Sequence, residues 1–176
     1  MTGEVDLDIL FDEQALERKV LELAVQISRD YAAKDLLLVC ILKGAAIFFT
    51  DLVRRLTIPA VLEFAQISSY GSGTVSSRVV TVTKDIGSDI SGKHVLLVDG
   101  IIDTGTTMDF LLRRYRERGP ASLRTAVLLD KRARRAVDVS IDYRGFEIPD
   151  MFVVGYGMDS GEKYRNLPYI AVVKVS

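Results

Sequence analysis

The apolar residues of this chain follow two periods, one helical and one extended. Near the N-terminus they recur every three or four positions between charged residues, which predicts an amphipathic surface helix. Its apolar stripe comprises Leu16, Val20, Leu23, Ile27 and Tyr31. The stretch 36–42 is instead continuously apolar, a pattern typical of a strand covered on both faces. Further strands are predicted at 61–67, 78–83, 95–98, 123–129, 151–154 and 169–173, and further helices at 45–56 and 108–118.

The alternation of strands and helices predicts an α/β fold, in which helices cover a central and mostly parallel sheet. The 176 residues fall within the usual size of one domain and no linker interrupts them, so residues 1–176 are expected to form a single domain. In open α/β sheets, ligands bind at the carboxyl ends of the strands. Four segments are expected there, namely 42–44, 99–100, 130–131 and 155–159.

The composition disfavours two classes of partner. A formal net charge of -1 and a pI near 5.9 do not suit a broad nucleic-acid surface, which normally carries a basic excess. In the basic run 131–135, we interpret Arg132, Arg134 and Arg135 as a solvated loop face. No apolar stretch reaches the roughly 18 residues needed to span a bilayer and no signal pattern is evident, so we expect a cytoplasmic protein without a membrane partner. The only cysteine, Cys40, is expected to be a buried structural thiol.

Residues 95–108 join a buried strand to a hydroxyl-rich turn and a helix start. Asp99 and Asp103 follow the strand, and 104–107 supply three threonines around Gly105. Backbone N–H groups at a helix start and threonine hydroxyls both donate to phosphate oxygens, while glycine permits close approach or a positive φ. Carboxylates so near an anion site suggest sugar hydroxyls, a metal or a proton transfer. An ordinary helix cap would explain only one of these polar residues, and neither of the two commonest phosphate-loop patterns occurs.

These residues resemble the signature of the phosphoribosyltransferases, and the closest resemblance is to the hypoxanthine-guanine phosphoribosyltransferase family. Other motifs agree with that family in order and approximate spacing: Ile41-Leu42-Lys43-Gly44, Ser69-Tyr70, Asp130-Lys131-Arg132 and Gly145 to Gly155, followed by Asp159 and Arg165. The resemblance covers essentially the whole chain, and five ordered motifs are far more specific than one. It implies a type I phosphoribosyltransferase fold, with a central sheet flanked by helices, a small hood and a flexible loop.

The resemblance also implies an activity and its ligands. The family transfers the 5-phosphoribosyl group from phosphoribosyl pyrophosphate to hypoxanthine or guanine in purine salvage, giving IMP or GMP and pyrophosphate. Magnesium is the expected cofactor, because Mg²⁺ prefers oxygen ligands and shares them with phosphate groups. The expected partners are phosphoribosyl pyrophosphate, the purine base and other copies of this chain in a homodimer or homotetramer.

The same resemblance assigns roles to individual residues. Asp103 is the expected catalytic residue, which holds the proton of the base nitrogen. Residues expected to bind phosphoribosyl pyrophosphate are Leu42, Lys43, Gly44, Ser69, Tyr70, Asp99, Gly100, Asp103, Thr104, Gly105, Thr106, Thr107 and Arg165. Those expected to bind the purine are Lys131, Phe152, Val153 and Asp159, and those expected at the metal are Asp99 and Asp159.

Three of these assignments differ from what the residues alone suggest. By periodicity Phe152 is a core residue, whereas the resemblance puts its ring against the purine. The stretch 68–84 alone reads as an exposed hairpin, whereas the resemblance makes Ser69-Tyr70 part of a loop that closes over the site. Lys43 alone is a surface lysine after a strand, whereas the family holds the corresponding peptide bond in cis and contacts pyrophosphate with its backbone.

Gly100 departs from the family, which usually has an acid at this position. Two explanations are open: a positive φ that requires glycine, or a vacated volume in which an acceptor for a ribose hydroxyl has been lost. Our hypothesis is that the lost acceptor dominates, so that Gly100→Asp should tighten the binding of phosphoribosyl pyrophosphate.

Two other function classes remain at this point. A nucleotide-sensing regulator of the same fold would bind RNA or DNA and would need a basic face, which the balanced charge disfavours. A phosphatase or kinase with an acidic metal site would use Asp99 and Asp103 but would leave Lys131 and the segment around Phe152 without a role.

Overall fold

The structure, a computed structural model, describes residues 6–70 and 79–174. In chain order its elements are β1 (Leu7–Phe11), α1 (Glu13–Asp30), β2 (Leu36–Leu42), α2 (Ala46–Val53), β3 (Val61–Tyr70), β4 (Val79–Lys84), β5 (His94–Ile102), α3 (Thr106–Arg116), β6 (Ser122–Asp130), β7 (Tyr143–Glu147), β8 (Val153–Val154) and β9 (Ile170–Val173). A short 3-10 helix, Arg132–Arg134, follows β6. No helix in the described ranges is both long and apolar enough to cross a membrane.

Six of the strands form one sheet in the order β4-β3-β2-β5-β6-β7. Every neighbouring pair is parallel except β3 and β4, which are antiparallel. The prediction of a central and mostly parallel sheet is therefore confirmed. The parallel strands bring their carboxyl ends to one edge, where ligand sites of such sheets form.

Strand β2 shows why its sequence is continuously apolar. Leu36, Leu38 and Cys40 belong to the core cluster that contains α1 and α2, whereas the residues between them pack in a second cluster with α3. Both faces of the strand are thus covered, as the run of apolar residues predicted. Burial, together with the nearby Asp99 carboxylate, raises the pKa of the Cys40 thiol to about 12, so that this cysteine is a structural thiol as expected.

Helix α1 is the amphipathic helix that the first apolar stripe predicted. The side chain of Asp12 accepts a hydrogen bond of 2.7 Å from the backbone of Ala15, which caps the helix start. Each residue of the predicted stripe is at most 1% exposed. Burying such a stripe against the sheet stabilises the helix more than its intrinsic propensity does.

A second, smaller sheet has the order β1-β9-β8, and its strands are antiparallel. It corresponds to the expected hood. Two of its strands were predicted, at 151–154 and 169–173, but the alternating pattern did not show that they leave the main sheet. Strands β1 and β7 were not predicted, because both are short and mix exposed with partly buried residues.

The structure corrects two boundaries near the predicted site. Strand β5 continues to Ile102, so Asp99 and Gly100 lie inside a strand and not in the turn after it. Ser69 and Tyr70 also lie in a strand, where their backbones pair with Val80 and Val79 of β4. Ser69 and Tyr70 are therefore strand residues and not loop residues as expected, because the pairing of β3 with β4 continues through both. The hairpin tip, 71–78, lies outside the described residues.

Candidate active site

Two cavities adjoin at the carboxyl edge of the main sheet. The larger, of about 520 Å³, lies under the segment that follows β8, and the smaller, of about 150 Å³, lies at the start of α3. Asp103 and Ile101 line both cavities. Predicted residues that line the larger cavity are Leu42, Lys43, Gly44, Asp103, Lys131, Phe152, Val153, Asp159 and Arg165. Those that line the smaller are Asp99, Asp103, Thr104, Gly105 and Thr107.

The turn before α3 has the geometry of an anion site. Gly105, at the N-cap position, has a φ of +86°, and no side chain caps the helix. The interpretation of this turn as an ordinary side-chain cap is therefore wrong. A Cβ at Gly105 would lie 2.7 Å from the carbonyl oxygen of Val137, so glycine is required both for the backbone angle and for the close approach.

The chain that follows β6 holds this turn in place. The carbonyl oxygen of Thr104 accepts hydrogen bonds from the N–H groups of Ala136 (2.9 Å) and Val137 (3.1 Å). The hydroxyls of Thr104 and Thr106 lie 3.1 Å apart. Because Thr104, Thr107 and the start of the helix line one small cavity, this turn could bind one phosphate group; Thr106 does not line it.

Asp103 sits where the two cavities meet, and an arginine lies beside it. Arg134 Nε is 2.9 Å from Asp103 Oδ1, and Arg134 also contacts Asp150 at 3.3 Å. The contact with Arg134 lacks hydrogen-bond alignment, so Oδ1 has no hydrogen-bond donor among the described residues. The guanidinium compensates the charge of this buried oxygen, and because the side chain as a whole is 40% exposed, a ligand N–H would meet the other carboxylate oxygen.

Asp99 is the carboxylate most affected by its surroundings. Burial raises its pKa to about 7, although hydrogen bonds from the backbone N–H groups of Gly100 and Ile101 oppose the shift. A carboxyl group with this pKa exchanges its proton near neutrality. As a carboxylate it could accept hydrogen bonds from hydroxyl groups of a ligand in the smaller cavity, which it lines.

The residues proposed for purine recognition come together on the wall of the larger cavity. Lys131 is only 8% exposed and has no ion-pair partner among the described residues. Phe152 is 53% exposed, so the periodicity-based interpretation of this residue as core is wrong, and its ring is open to the cavity. A buried cation beside an exposed aromatic ring suits a flat base that carries an acceptor oxygen.

The residue before Lys131 anchors its strand end. Asp130 is 1% exposed and pairs with Arg135 and with Arg144, whose Nε is 2.9 Å away. The side chain of Arg135 is only 12% exposed. The interpretation of the basic run as a solvated loop face is therefore wrong for Arg135, because the buried carboxylate of Asp130 requires a charged partner.

Three backbone segments meet at the carbonyl oxygen of Gly44. The peptide bond between Leu42 and Lys43 is cis, as expected from the resemblance. A Cβ added at Gly100 would lie 2.7 Å from the Gly44 oxygen and 3.0 Å from its carbon, and a Cβ at Gly157 would collide with the same oxygen. Neither earlier explanation of Gly100 holds: its φ is not positive, and no vacated volume exists at its α-carbon. Gly100 is required because the backbone of Gly44 occupies that space.

On the hood side of the larger cavity, four charged side chains form a network. Arg165 Nη2 lies 2.8 Å from Asp159 Oδ1 and 3.4 Å from Glu162 Oε1. Glu162 Oε2 also accepts a hydrogen bond of 2.8 Å from Lys43 Nζ, which holds the pKa of the Glu162 carboxyl below its usual range. The sequence allows Arg165 and Glu162 to be read as a surface pair, which the structure shows at 3.4 Å, but nothing in the sequence indicated the contact of Glu162 with Lys43.

The residues expected at a metal ion are not gathered into one cluster. No group of three or more histidine, cysteine or carboxylate side chains converges within the described ranges, and Asp99 and Asp159 line different cavities. Both oxygens of Asp159 are already engaged, one by Arg165 and one by the N–H of Glu162. This donor set suits Mg²⁺ only in its usual phosphate-bound form, with most ligands supplied by phosphate and water.

Comparisons with known proteins agree with this geometry. The family model "Phosphoribosyl transferase domain" matches residues 6–161. A hypoxanthine phosphoribosyltransferase of Haemophilus influenzae is 44% identical over 170 residues, which cover 95% of each chain. A hypoxanthine-guanine phosphoribosyltransferase of Streptococcus thermophilus is 43% identical over 166 residues, which cover 94% of this chain and 92% of that protein.

Solved structures show the same similarity in three dimensions. The crystal structure of a hypoxanthine phosphoribosyltransferase from Staphylococcus aureus superimposes with a TM-score of 0.92 at 40% identity and covers 99% of this chain and 97% of that one. The type I fold expected from the sequence is confirmed. The family model covers most of the chain, and the relatives match it over nearly their full length. This chain therefore belongs to the phosphoribosyl transferase domain family.

Proposed function

We propose that this chain is a purine-salvage transferase that moves the 5-phosphoribosyl group of phosphoribosyl pyrophosphate onto hypoxanthine or guanine, giving IMP or GMP and pyrophosphate. The observation that carries the proposal is the position of Asp103 between two cavities of different chemistry. One has the hydroxyl-rich turn before α3, and the other has Lys131 and the exposed ring of Phe152. A molecule that joins a sugar phosphate to an oxopurine spans both.

On the purine side, each proposed contact uses a different property of the base. The Phe152 ring stacks on its face, Lys131 donates to its exocyclic oxygen, and the backbone of Val153 bonds its edge. Asp103, whose side chain is 40% exposed and lines both cavities, accepts the proton of the base nitrogen that attacks the sugar. Asp159 lies near the base at the hood side of the cavity.

On the sugar side, the proposed contacts fix the phosphates and expose one face of the ribose. Thr104 to Thr107 hold the 5′-phosphate, and Asp99 accepts ribose hydroxyls. The backbone of 42–44 and the guanidinium of Arg165 bind pyrophosphate. Departure of pyrophosphate leaves positive charge on the ribose, which the base nitrogen captures from the opposite face. Positioning and charge stabilisation therefore supply most of the catalysis.

Ser69, Tyr70 and Gly100 have narrower roles in this proposal. Ser69 and Tyr70 lie at the end of β3 and pair with β4 through their backbones, so their proposed contact with phosphoribosyl pyrophosphate would be made from a strand end. Gly100 acts by making room for the Gly44 backbone and not by touching the ligand. Mg²⁺ would be held by Asp99 or Asp159 together with phosphate oxygens, and when bound it would neutralise charge on the leaving pyrophosphate.

The remaining expectations belong to the same proposal. The chain would act as a single domain over residues 1–176, in the cytoplasm, as a homodimer or homotetramer, with no nucleic acid or membrane as partner. The near-neutral net charge of -1 supports the expectation about nucleic acid.

The reaction can be tested directly with purified protein. The protein is mixed with phosphoribosyl pyrophosphate and Mg²⁺, and hypoxanthine, guanine, xanthine, adenine or uracil is supplied in turn while nucleotide formation is followed. Nucleotide should form from hypoxanthine or guanine only when Mg²⁺ and phosphoribosyl pyrophosphate are both present. A preference for adenine or uracil would contradict the assignment of Lys131 and Phe152 to an oxopurine.

A further inference from the structure

The carboxylate of Glu162 occupies a place between two cations of the larger cavity. Its Oε2 is 2.8 Å from Lys43 Nζ, and its Oε1 is 3.4 Å from Arg165 Nη2. Lys43 follows β2, whereas Arg165 comes from the segment between β8 and β9, so the two cations approach from separate parts of the fold. One carboxylate thus partly neutralises both cations.

The backbone holds Glu162 at this position. It lies in a tight turn closed by reciprocal hydrogen bonds of 3.2 Å between Ser160 and Lys163, and its own N–H donates to Asp159 Oδ2 at 2.8 Å. Its φ is +66°, in the left-handed region that a glutamate rarely adopts. Non-glycine residues in this region concentrate at functional sites, where surrounding contacts hold them. Glu162 is held in the same way, by the hydrogen bonds of its turn and by its contacts with Asp159 and Lys43.

The charges and the exposure of these side chains determine how a polyanion such as pyrophosphate would bind to them. The side chains of Lys43 and Glu162 are 54% and 66% exposed, so a ligand can reach the pair. Pyrophosphate and the Glu162 carboxylate need the same donors, and they repel each other. An exposed ion pair orients long side chains only weakly. By orienting the two cations, Glu162 would therefore favour pyrophosphate binding less than it opposes it by competing for the same cations.

We propose that Glu162 is an internal competitor of pyrophosphate: it pairs with Lys43 and Arg165 and weakens the binding of the pyrophosphate group. The inference rests on the proposed function, in which Arg165 and the backbone of 42–44 bind pyrophosphate, and it adds that the Lys43 ammonium receives the same group. Glu162 is a positioning residue that acts through the two cations. Its consequence for the reaction is faster release of pyrophosphate and a higher KM for phosphoribosyl pyrophosphate, with no effect on purine recognition.

The inference is testable because a competing carboxylate and a carboxylate that helps the ligand bind would change pyrophosphate affinity in opposite directions when it is removed. If the carboxylate only arranged the cations for the ligand, its loss would weaken pyrophosphate binding. If it competes, Glu162→Gln should tighten the binding of magnesium pyrophosphate by about two- to fivefold, the range of one exposed ion-pair interaction. The gain should shrink as KCl is raised, because salt screens exposed charges.

The experiment is isothermal titration of magnesium pyrophosphate into the wild type, Glu162→Gln and the control Glu147→Gln. Glu147 is a matched control, since its carboxylate is 51% exposed, contacts one arginine at 3.4 Å and lines neither cavity of the site. It should leave the dissociation constant unchanged. Glu162→Asn removes the same charge with a residue that tolerates a positive φ, so it guards against poor folding of the glutamine variant and should also bind more tightly.

Steady-state kinetics on the same proteins separate the two proposals. In Glu162→Gln, the KM for phosphoribosyl pyrophosphate should fall while the KM for hypoxanthine stays constant, and inhibition by pyrophosphate should become stronger. Unchanged or weaker pyrophosphate binding in both Glu162 variants, with nucleotide still formed by the wild type, would overturn the competitor role and leave the proposed function standing. A wild type that neither binds magnesium pyrophosphate nor forms nucleotide would overturn the proposed function itself.

Discussion

Gly100 is the position at which sequence and structure lead to opposite expectations for the same substitution. The vacant acceptor suggested that an aspartate should improve sugar binding. The structure places the backbone of Gly44 where the Cβ of any other residue would lie. We therefore expect Gly100→Ala and Gly100→Asp both to weaken the binding of phosphoribosyl pyrophosphate and to lower the stability of the fold.

The magnitude follows from three contacts of the added atom. A Cβ at Gly100 would be 2.7 Å from the Gly44 oxygen, 3.0 Å from its carbon and 3.4 Å from the Ala45 nitrogen. These atoms belong to the backbone, so no side-chain rotation relieves the overlap, and Gly157 confines the same oxygen from another side. Overpacking of this kind costs about 1–3 kcal/mol. For a chain of this length that corresponds to a fall in Tm of about 2–12 °C.

A shift of the Gly44 backbone would also affect ligand binding, because Gly44 lines the larger cavity. If the whole cost fell on the ligand-binding conformation of 42–44, affinity for phosphoribosyl pyrophosphate would fall by roughly 5- to 150-fold. Gly100→Asp should bind more tightly than Gly100→Ala if its carboxylate recovers a ribose hydroxyl, yet it should remain weaker than the wild type.

Titration calorimetry and thermal unfolding of the three proteins test this expectation. Gly87→Ala is the matched control, because Gly87 is exposed, has no positive φ, and a Cβ there would meet no atom within 4 Å. The control should be neutral or stabilised by up to about 1 kcal/mol, through the lower entropy of its unfolded chain. A Gly100→Asp variant that binds phosphoribosyl pyrophosphate as tightly as the wild type, with an unchanged Tm, would refute the steric reasoning.

Three further substitutions test the roles of single polar groups. Asp103→Asn should lower kcat by about 10²- to 10⁴-fold, the usual worth of a general base, with little change in phosphoribosyl pyrophosphate affinity; unchanged single-turnover rates would exclude that role. Lys131→Ala should weaken guanine or hypoxanthine binding by about 1.5–3 kcal/mol and spare pyrophosphate, whereas equal losses of both ligands in calorimetry would indicate a structural role. The pKa of Asp99 is raised to about 7 in the fold, so its contribution to stability is complete below about pH 4 and is lost as the pH rises through 7. Urea unfolding in EDTA should therefore show the wild type losing up to about 1.4 kcal/mol per pH unit over that window relative to Asp99→Asn, and parallel pH curves would contradict the burial of this carboxyl.

The sequence was sufficient wherever structure depends on near neighbours. The apolar stripe of α1 and the continuous apolar run of β2 both folded as predicted, because the direction of side chains along a helix or a strand is a local property of the backbone. The order of the motifs at strand ends also identified the ligand edge, since parallel strands bring their carboxyl ends together. The fold class followed from these two regularities, whereas the roles predicted for individual site residues came from the resemblance to the phosphoribosyltransferases.

Only the tertiary structure decided which distant residues meet. Glu162 contacts Lys43 across 119 positions of sequence, and no local pattern encodes such a contact. The hood sheet joins β1 to β9, from opposite ends of the described chain, so its short strands could not be assigned to it by period. The need for glycine at 100 arises because the backbone of Gly44 passes beside it, and such proximity depends on how strands and loops pack and not on the residues that flank either glycine.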